Sequence, residues 1–168
     1  GLAPDFDLYA GHRKTFHFPV YGALVALCAA IGYVVVGGTL ALAVALFALA
    51  AALHAASDAL GGGLELRPWE ATSERAVYDH FTGTWWRPRR WIRYDGAPED
   101  VALGTAFAVP GYLAFDGPVR HVVVGAVVVS LAYATVRKPL VTLAERIIAA
   151  APAGLVDRVP DRFVGDIR

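Results

Sequence analysis

Acids and histidines stand together near the start of the chain, ahead of any long apolar run. Asp5 and Asp7 occur in Pro4-Asp5-Phe6-Asp7, and His12 and His17 frame His12-Arg13-Lys14-Thr15-Phe16-His17. A second group, His54-Ala-Ala-Ser-Asp58, lies about forty residues later, at the end of an apolar stretch. Residues at i and i+4 share one helical face, a turn apart. An imidazole nitrogen from His54 and a carboxylate oxygen from Asp58 can therefore share a cation, as in other i, i+4 ligand pairs. A hydrogen bond between helices would use the same two side chains.

Asp5, Asp7, His12, His17, His54 and Asp58 together offer six donors. Mixed imidazole and carboxylate ligation suits zinc above all, with manganese or iron as alternatives, and six donors exceed what one tetrahedral structural zinc requires. Two cations bridged by a carboxylate would employ them all, in an arrangement that activates water and stabilises the oxygens of a phosphoryl or acyl centre. In that scheme Asp5 or Asp7 bridges the ions or acts as general base, and Arg13 stabilises developing negative charge. Two plainer readings remain open. Asp7 or Thr15 could cap a helix start, and the cluster could hold a structural metal, or only hydrogen bonds, in a non-catalytic scaffold.

Apolar segments must carry these residues. The chain has 168 residues, 57% of them hydrophobic and 18% charged, with a mean hydropathy of +0.49. A soluble domain carries roughly 25% charged residues. About 20 apolar residues cross the hydrocarbon core as a helix. Runs of that kind occupy residues 20–36 and 39–60, and shorter ones 101–115 and 119–136. Gly37-Gly38 between the first two implies an antiparallel helical hairpin, and Asp116-Gly117-Pro118 a turn between the last two. Pro110-Gly111 should kink the third run. The expected fold is an all-α polytopic transmembrane bundle of about four spans, read as a single membrane domain over residues 1–168. A very apolar soluble bundle would need polar helix faces, and no charged residue falls between Thr39 and Leu53.

Basic residues set the topology. Arg13, Lys14, Arg67, Arg75, Arg87, Arg89, Arg90, Arg93, Arg137, Lys138 and Arg146 fall on one side of the four runs, against Arg120 on the other. That asymmetry predicts a multi-pass plasma-membrane protein with its N-terminal segment, residues 61–100 and its tail in the cytoplasm. The hairpin then brings the Asp5–His17 segment and the His54–Asp58 turn to the same cytoplasmic end. A transporter is a weaker alternative, because neither of the last two runs carries a charge at its middle.

The loop over residues 61–100 holds all four tryptophans, interleaved with arginines in Trp85-Trp86-Arg87-Pro88-Arg89-Arg90-Trp91-Ile92-Arg93. This composition matches a membrane interface against anionic lipid headgroups. Single-stranded nucleic acid stacks on a similar surface, but in a chain already within the membrane lipid is the simpler partner, and no nucleic-acid partner is expected. Gly61-Gly62-Gly63 reads as a helix stop whose N–H groups could face an anion, Asp79-His80 as a solvated pair or an added ligand, and Glu99-Asp100 as acids at a helix start. Residues 138–168 open with an amphipathic pattern expected to lie along the membrane surface. Cys28 is alone and cannot form an internal disulfide. Met is absent, so residue 1 is expected to follow a further N-terminal segment.

The order Pro-Asp-x-Asp, His-Arg-Lys-Thr-Phe-His, apolar span, His-x-x-x-Asp resembles that of the membrane-bound metal-dependent hydrolases that include the LexA-regulated inner-membrane proteins of bacteria, with archaeal relatives. The resemblance covers roughly residues 3 to 70. It implies metal ligation by Asp5, Asp7, His12, His17, His54 and Asp58, and hydrolysis of a phosphoester or ester without naming the substrate. Two departures stand out: Phe16 separates Thr15 from His17, and the apolar helix that usually precedes Pro-Asp-x-Asp in the family is absent, which implies one more native span.

Overall fold

A computed structural model describes residues 3–156, apart from the side chains of Leu8, Tyr9 and Ala153. The chain, read from its sequence as one domain, packs over the described residues as two compact units: residues 3–64 with 71–92, and residues 65–70 with 93–156.

The first unit opens with a 3₁₀ turn, Pro4–Tyr9, followed by the helices α1 (Pro19–Val36) and α2 (Gly38–Ser57), and α2 tightens into a further 3₁₀ turn at Asp58–Leu60. Pro19 occupies the first turn of α1, where its missing N–H costs nothing. Gly37 and Gly38 adopt φ of 70° and 85°, a left-handed conformation that side-chain-bearing residues resist, so a two-residue connection suffices to reverse the chain. The seam between the two helices is built from small residues. Ala26, Ala45, Ala52 and Ala55 are buried, and a Cβ placed on Gly22 would meet the Ala52 Cα at 3.4 Å. Small residues let backbones approach closely where no water-driven force joins the helices. Elsewhere both helices present Leu24, Val25, Ile31, Val34, Leu40, Phe47 and Leu53 outward, a surface suited to lipid rather than water.

Against the all-α expectation, the tryptophan- and arginine-rich loop contains a small β-hairpin, β1 (Val77–Asp79) with β2 (Thr84–Trp86), antiparallel, with Val77 opposite Trp86 and Asp79 opposite Thr84. Aromatic and β-branched residues flank a turn in which Gly83 takes φ 71°. Asp79 is buried and ties the turn, accepting from the Phe81 N–H at 2.9 Å and the Thr82 hydroxyl at 2.8 Å. Burial pushes its pKa up, but these hydrogen bonds outweigh it and hold the carboxyl below its ordinary value. Asp79 thus serves the turn, in place of the solvated pair expected from sequence.

The second unit contains α3 (Pro98–Ala114) and α4 (Gly117–Ala150). Glu99 and Asp100 lie in the first turn of α3, as the dipole favours. Glu99 also accepts from the backbone N–H of Arg93 at 3.0 Å and from its Nε at 2.8 Å. The Arg93 guanidinium draws the Glu99 carboxyl down to about 2. The 34 residues of α4 pass through Pro139 without a break, so residues 138–150 extend this helix where the sequence suggested a separate surface segment. The remainder of the predicted tail, residues 157–168, lies outside the described residues.

The chain is mostly helical, and among the described residues three helices are long and apolar enough to cross a membrane: Pro19–Val36, Gly38–Leu60 and Gly117–Ala150. With 17 residues, α3 is shorter than these.

Candidate metal centre

The site lies where the N-terminal segment folds over the end of α2. The segment is held by its backbone. Gly11, at φ 126°, accepts from the Thr15 N–H at 3.0 Å, and the Thr15 hydroxyl donates to the Ala10 carbonyl at 2.9 Å. Thr15 therefore closes the turn that presents His12 and His17 on either side of it. The hairpin braces this turn: the Tyr78 N–H donates to the Arg13 carbonyl at 2.9 Å, and His80 Nε2 donates to the Lys14 carbonyl at 2.6 Å. Arg13 takes φ 56°, a strained conformation for a side-chain-bearing residue and one that clusters at functional sites.

Within this frame, ligand atoms of Asp5, His17 and His54 all lie within 4.8 Å of one another, a group able to hold a metal ion. His54 Nε2 is 3.2 Å from Asp5 Oδ1, and His17 Nε2 is 3.7 Å from the same oxygen. Donors bonded at about 2.0 Å to one tetrahedral ion stand about 3.3 Å apart, a spacing that the Asp5–His54 pair matches and the Asp5–His17 pair approaches. The His17 and His54 rings stand 5.3 Å apart between centroids.

His17 is fully buried, and its two nitrogens face different carboxylates. Nδ1 donates to Asp7 Oδ2 at 2.9 Å, which leaves Nε2 to present a lone pair toward Asp5. Nε2 also lies 3.2 Å from Asp58 Oδ2, off hydrogen-bonding directions, and among the described residues neither atom has a hydrogen-bond partner. A buried polar atom without a partner is costly, and an ion is one way to satisfy both. Burial lowers the His17 pKa, yet the Asp58 and Asp7 carboxylates more than reverse this and raise it.

Asp7 stands behind the donors. Oδ1 accepts from His12 Nδ1 at 3.2 Å, and Oδ2 accepts from His17 and from the Phe16 N–H at 3.1 Å. Burial pushes the Asp7 carboxyl up, and these donors outweigh it and bring it below its ordinary value. Both oxygens are thus engaged in orienting imidazoles, the role a carboxylate takes behind a metal-bound histidine. His12 sits edge-on to His17 at 5.7 Å between centroids, with its side chain a third exposed. Asp58 is oriented by Arg13, whose Nε lies 3.6 Å from Oδ1 while its Nη1 donates to the Gly62 carbonyl at 2.9 Å. The Gly61–Gly63 stop therefore supplies a carbonyl to a buried arginine.

Of the six donors expected from sequence, Asp5, His17 and His54 converge, Asp58 reaches them through His17, and Asp7 and His12 back them. The bracing by Tyr78 and His80 was not foreseen. Its signal, aromatic and β-branched residues on either side of Thr82-Gly83, was present in the chain. No family model, curated protein or solved structure matches this chain.

Proposed function

We propose that this protein is a membrane-embedded, metal-dependent hydrolase whose site faces the cytoplasmic interface and acts on a phosphoester or ester such as a lipid headgroup. The observation that carries the reading is the convergence of Asp5, His17 and His54 around the partnerless Nε2 of a buried histidine that Asp7 already orients. Two imidazoles and one carboxylate leave coordination positions open, as in catalytic rather than closed structural sites. The same donor set also serves non-haem iron, so zinc is the first metal to test and iron and manganese the next.

A bound divalent cation would supply Lewis acidity and a water of lowered pKa. The chain's own residues divide the remaining work. Asp7 fixes His17 through Nδ1 and keeps Nε2 turned toward Asp5. Arg13 holds Asp58 beside His17, and its positive charge favours an anionic group nearby. His12, fixed through Nδ1 and partly exposed, can accept a proton from water and pass it to bulk solvent.

The crossing helices support a membrane location, and α3, at the lower length limit for a span, supplies the fourth crossing of this scheme. The excess of arginine in residues 61–100 supports their cytoplasmic placement. The competing reading is a scaffold with a hydrogen-bonded His/Asp cluster, favoured by His17 being charge-matched between two carboxylates without any cation.

Elemental analysis of detergent-purified protein, with hydrolysis of phosphoester and ester substrates, separates the two. One or two equivalents of zinc, iron or manganese, lost together with turnover in His54→Ala, support the enzyme. Protein that takes up no metal, even when metal is added, removes it.

A further inference from the structure

The arginine-rich segment forms a cavity that the metal cluster does not use. It is an open cleft of about 600 Å³ lined by Ala59, Glu74, Trp86, Arg87, Pro88 and Arg89. This volume lies in the range of small-molecule sites. The cavity is anchored firmly to the turn that follows the candidate metal ligands. Arg89 N–H donates to the Ala59 carbonyl at 2.8 Å, Arg90 N–H to Gly61 at 3.1 Å and Ile92 N–H to Leu60 at 3.2 Å. Ala59 directly follows Asp58, so one wall begins a single residue from the cluster.

The charges in the cavity are unequal. Arg87 and Arg89 are two basic residues among those lining it, against Glu74 as the one acid. Glu74 lies 3.5 Å from Arg87 Nε and 3.7 Å from Arg90 Nη2, with both Glu74 and Arg87 largely exposed. Ion pairs of this length at an exposed site are weak, so a better anion can take the place of Glu74. Arg90 is retained in position by the Ser73 and Ala71 carbonyls, at 2.7 and 3.1 Å. Trp86 adds an apolar wall beside the cations. Planar guanidiniums recognise phosphate through paired N–H donors, and an aromatic face beside them favours a carbon-bearing phosphate over the bare ion.

We propose that this cavity is a phosphoryl-binding subsite, in which Arg87 and Arg89 grip the phosphate of a phosphate ester, Glu74 is displaced, and Trp86 packs on the adjoining carbon skeleton. As a substrate subsite it rests on the hydrolase reading above; as a binding site it stands apart from the metal. The ester can come from a membrane amphiphile or from a soluble metabolite, and the same chemistry recognises both.

The test uses the full chain in neutral detergent or phosphatidylcholine nanodiscs, with glycerol phosphate as the soluble probe and phosphatidic acid as the lipid probe. Binding is followed by calorimetry, and metal content is measured on the same samples. The double variant Arg87→Ala/Arg89→Ala should bind about tenfold more weakly or worse, as loss of charge-assisted pairs implies, with its metal content unchanged. Glu74→Gln should bind more tightly, a gain that misfolding cannot produce. Tight binding of phosphatidic acid alone assigns a lipid source, and comparable binding of glycerol phosphate a soluble one; either supports the subsite. Wild-type affinity in the double variant, no gain in Glu74→Gln, or binding of neither probe would overturn it. Loss of binding on chelation, with the arginine variant unaffected, would assign the phosphate to the metal cluster and overturn it equally.

Discussion

His17 stands between two carboxylates, with Nδ1 2.9 Å from Asp7 Oδ2 and Nε2 3.2 Å from Asp58 Oδ2. The two contacts differ in kind, since the first is a hydrogen bond and the second leaves both atoms without one. Asp7 therefore sets the ring, while Nε2 remains available. Asp7→Asn keeps the shape of the side chain and removes its charge, so metal affinity should fall about 10- to 100-fold, the usual cost of losing an orienting carboxylate. Titration against a competing chelator measures this. Unchanged affinity would place Asp7 outside the centre.

His54→Ala and His12→Ala should part company. The first removes one of the three converging donors and should abolish metal retention. The second removes a ring that meets the cluster through Asp7 and the edge of His17, without converging on Asp5, and should leave metal bound while slowing turnover. Elemental analysis of the two variants side by side decides the matter, and equal metal loss in both would show that His12 is a ligand.

Acid should loosen the β-hairpin before it affects the helices. The folded-state pKa of Asp79 lies below its unfolded value, so its contribution is fully present above the unfolded value of about 3.9 and is lost as pH falls through the folded one. Hydrogen exchange over residues 77–86 should accelerate below about pH 4. Asp79→Ala should show that fast exchange already at neutral pH. Because the Tyr78 N–H and His80 hold the Arg13–Lys14 backbone, this variant should also weaken metal binding from a distance.

Gly22→Leu should separate α1 from α2. The Cβ position already meets Ala52 at 3.4 Å, and a larger side chain there forces a shift costing about 1–3 kcal/mol. Ala52 is two residues before His54, so a lower thermal midpoint in detergent should accompany reduced metal retention. A variant that keeps both properties would show that the seam does not position the site.

The helical part of the fold was legible because it depends on composition and length. The runs over residues 20–36 and 39–60 became Pro19–Val36 and Gly38–Leu60, and Gly37-Gly38 marked their reversal. The site was legible as a set of residue types but not as a set of roles. Asp5 and Asp7 are two residues apart and chemically identical, and only the folded turn directs Asp7 inward to two imidazoles and Asp5 toward His54. The buried bond from Arg13 to Gly62 and the bracing by the hairpin join residues 49 to 66 positions apart, and no local pattern encodes such pairings. The run of α4 through Pro139 went unseen because a proline removes a helix hydrogen bond and ordinarily ends or kinks the helix.

The reversal at Gly37-Gly38 has one consequence for chemical mapping. Where α1 and α2 turn, the chain offers Val36, two glycines and Thr39, with no amine, thiol or acid. A membrane-impermeant labelling reagent applied to that end of the hairpin finds nothing to modify, and a protease finds no lysine or arginine to cut beside. That end is chemically silent, and reporters of sidedness for this hairpin must be attached at its opposite end, where the exposed Lys14 lies.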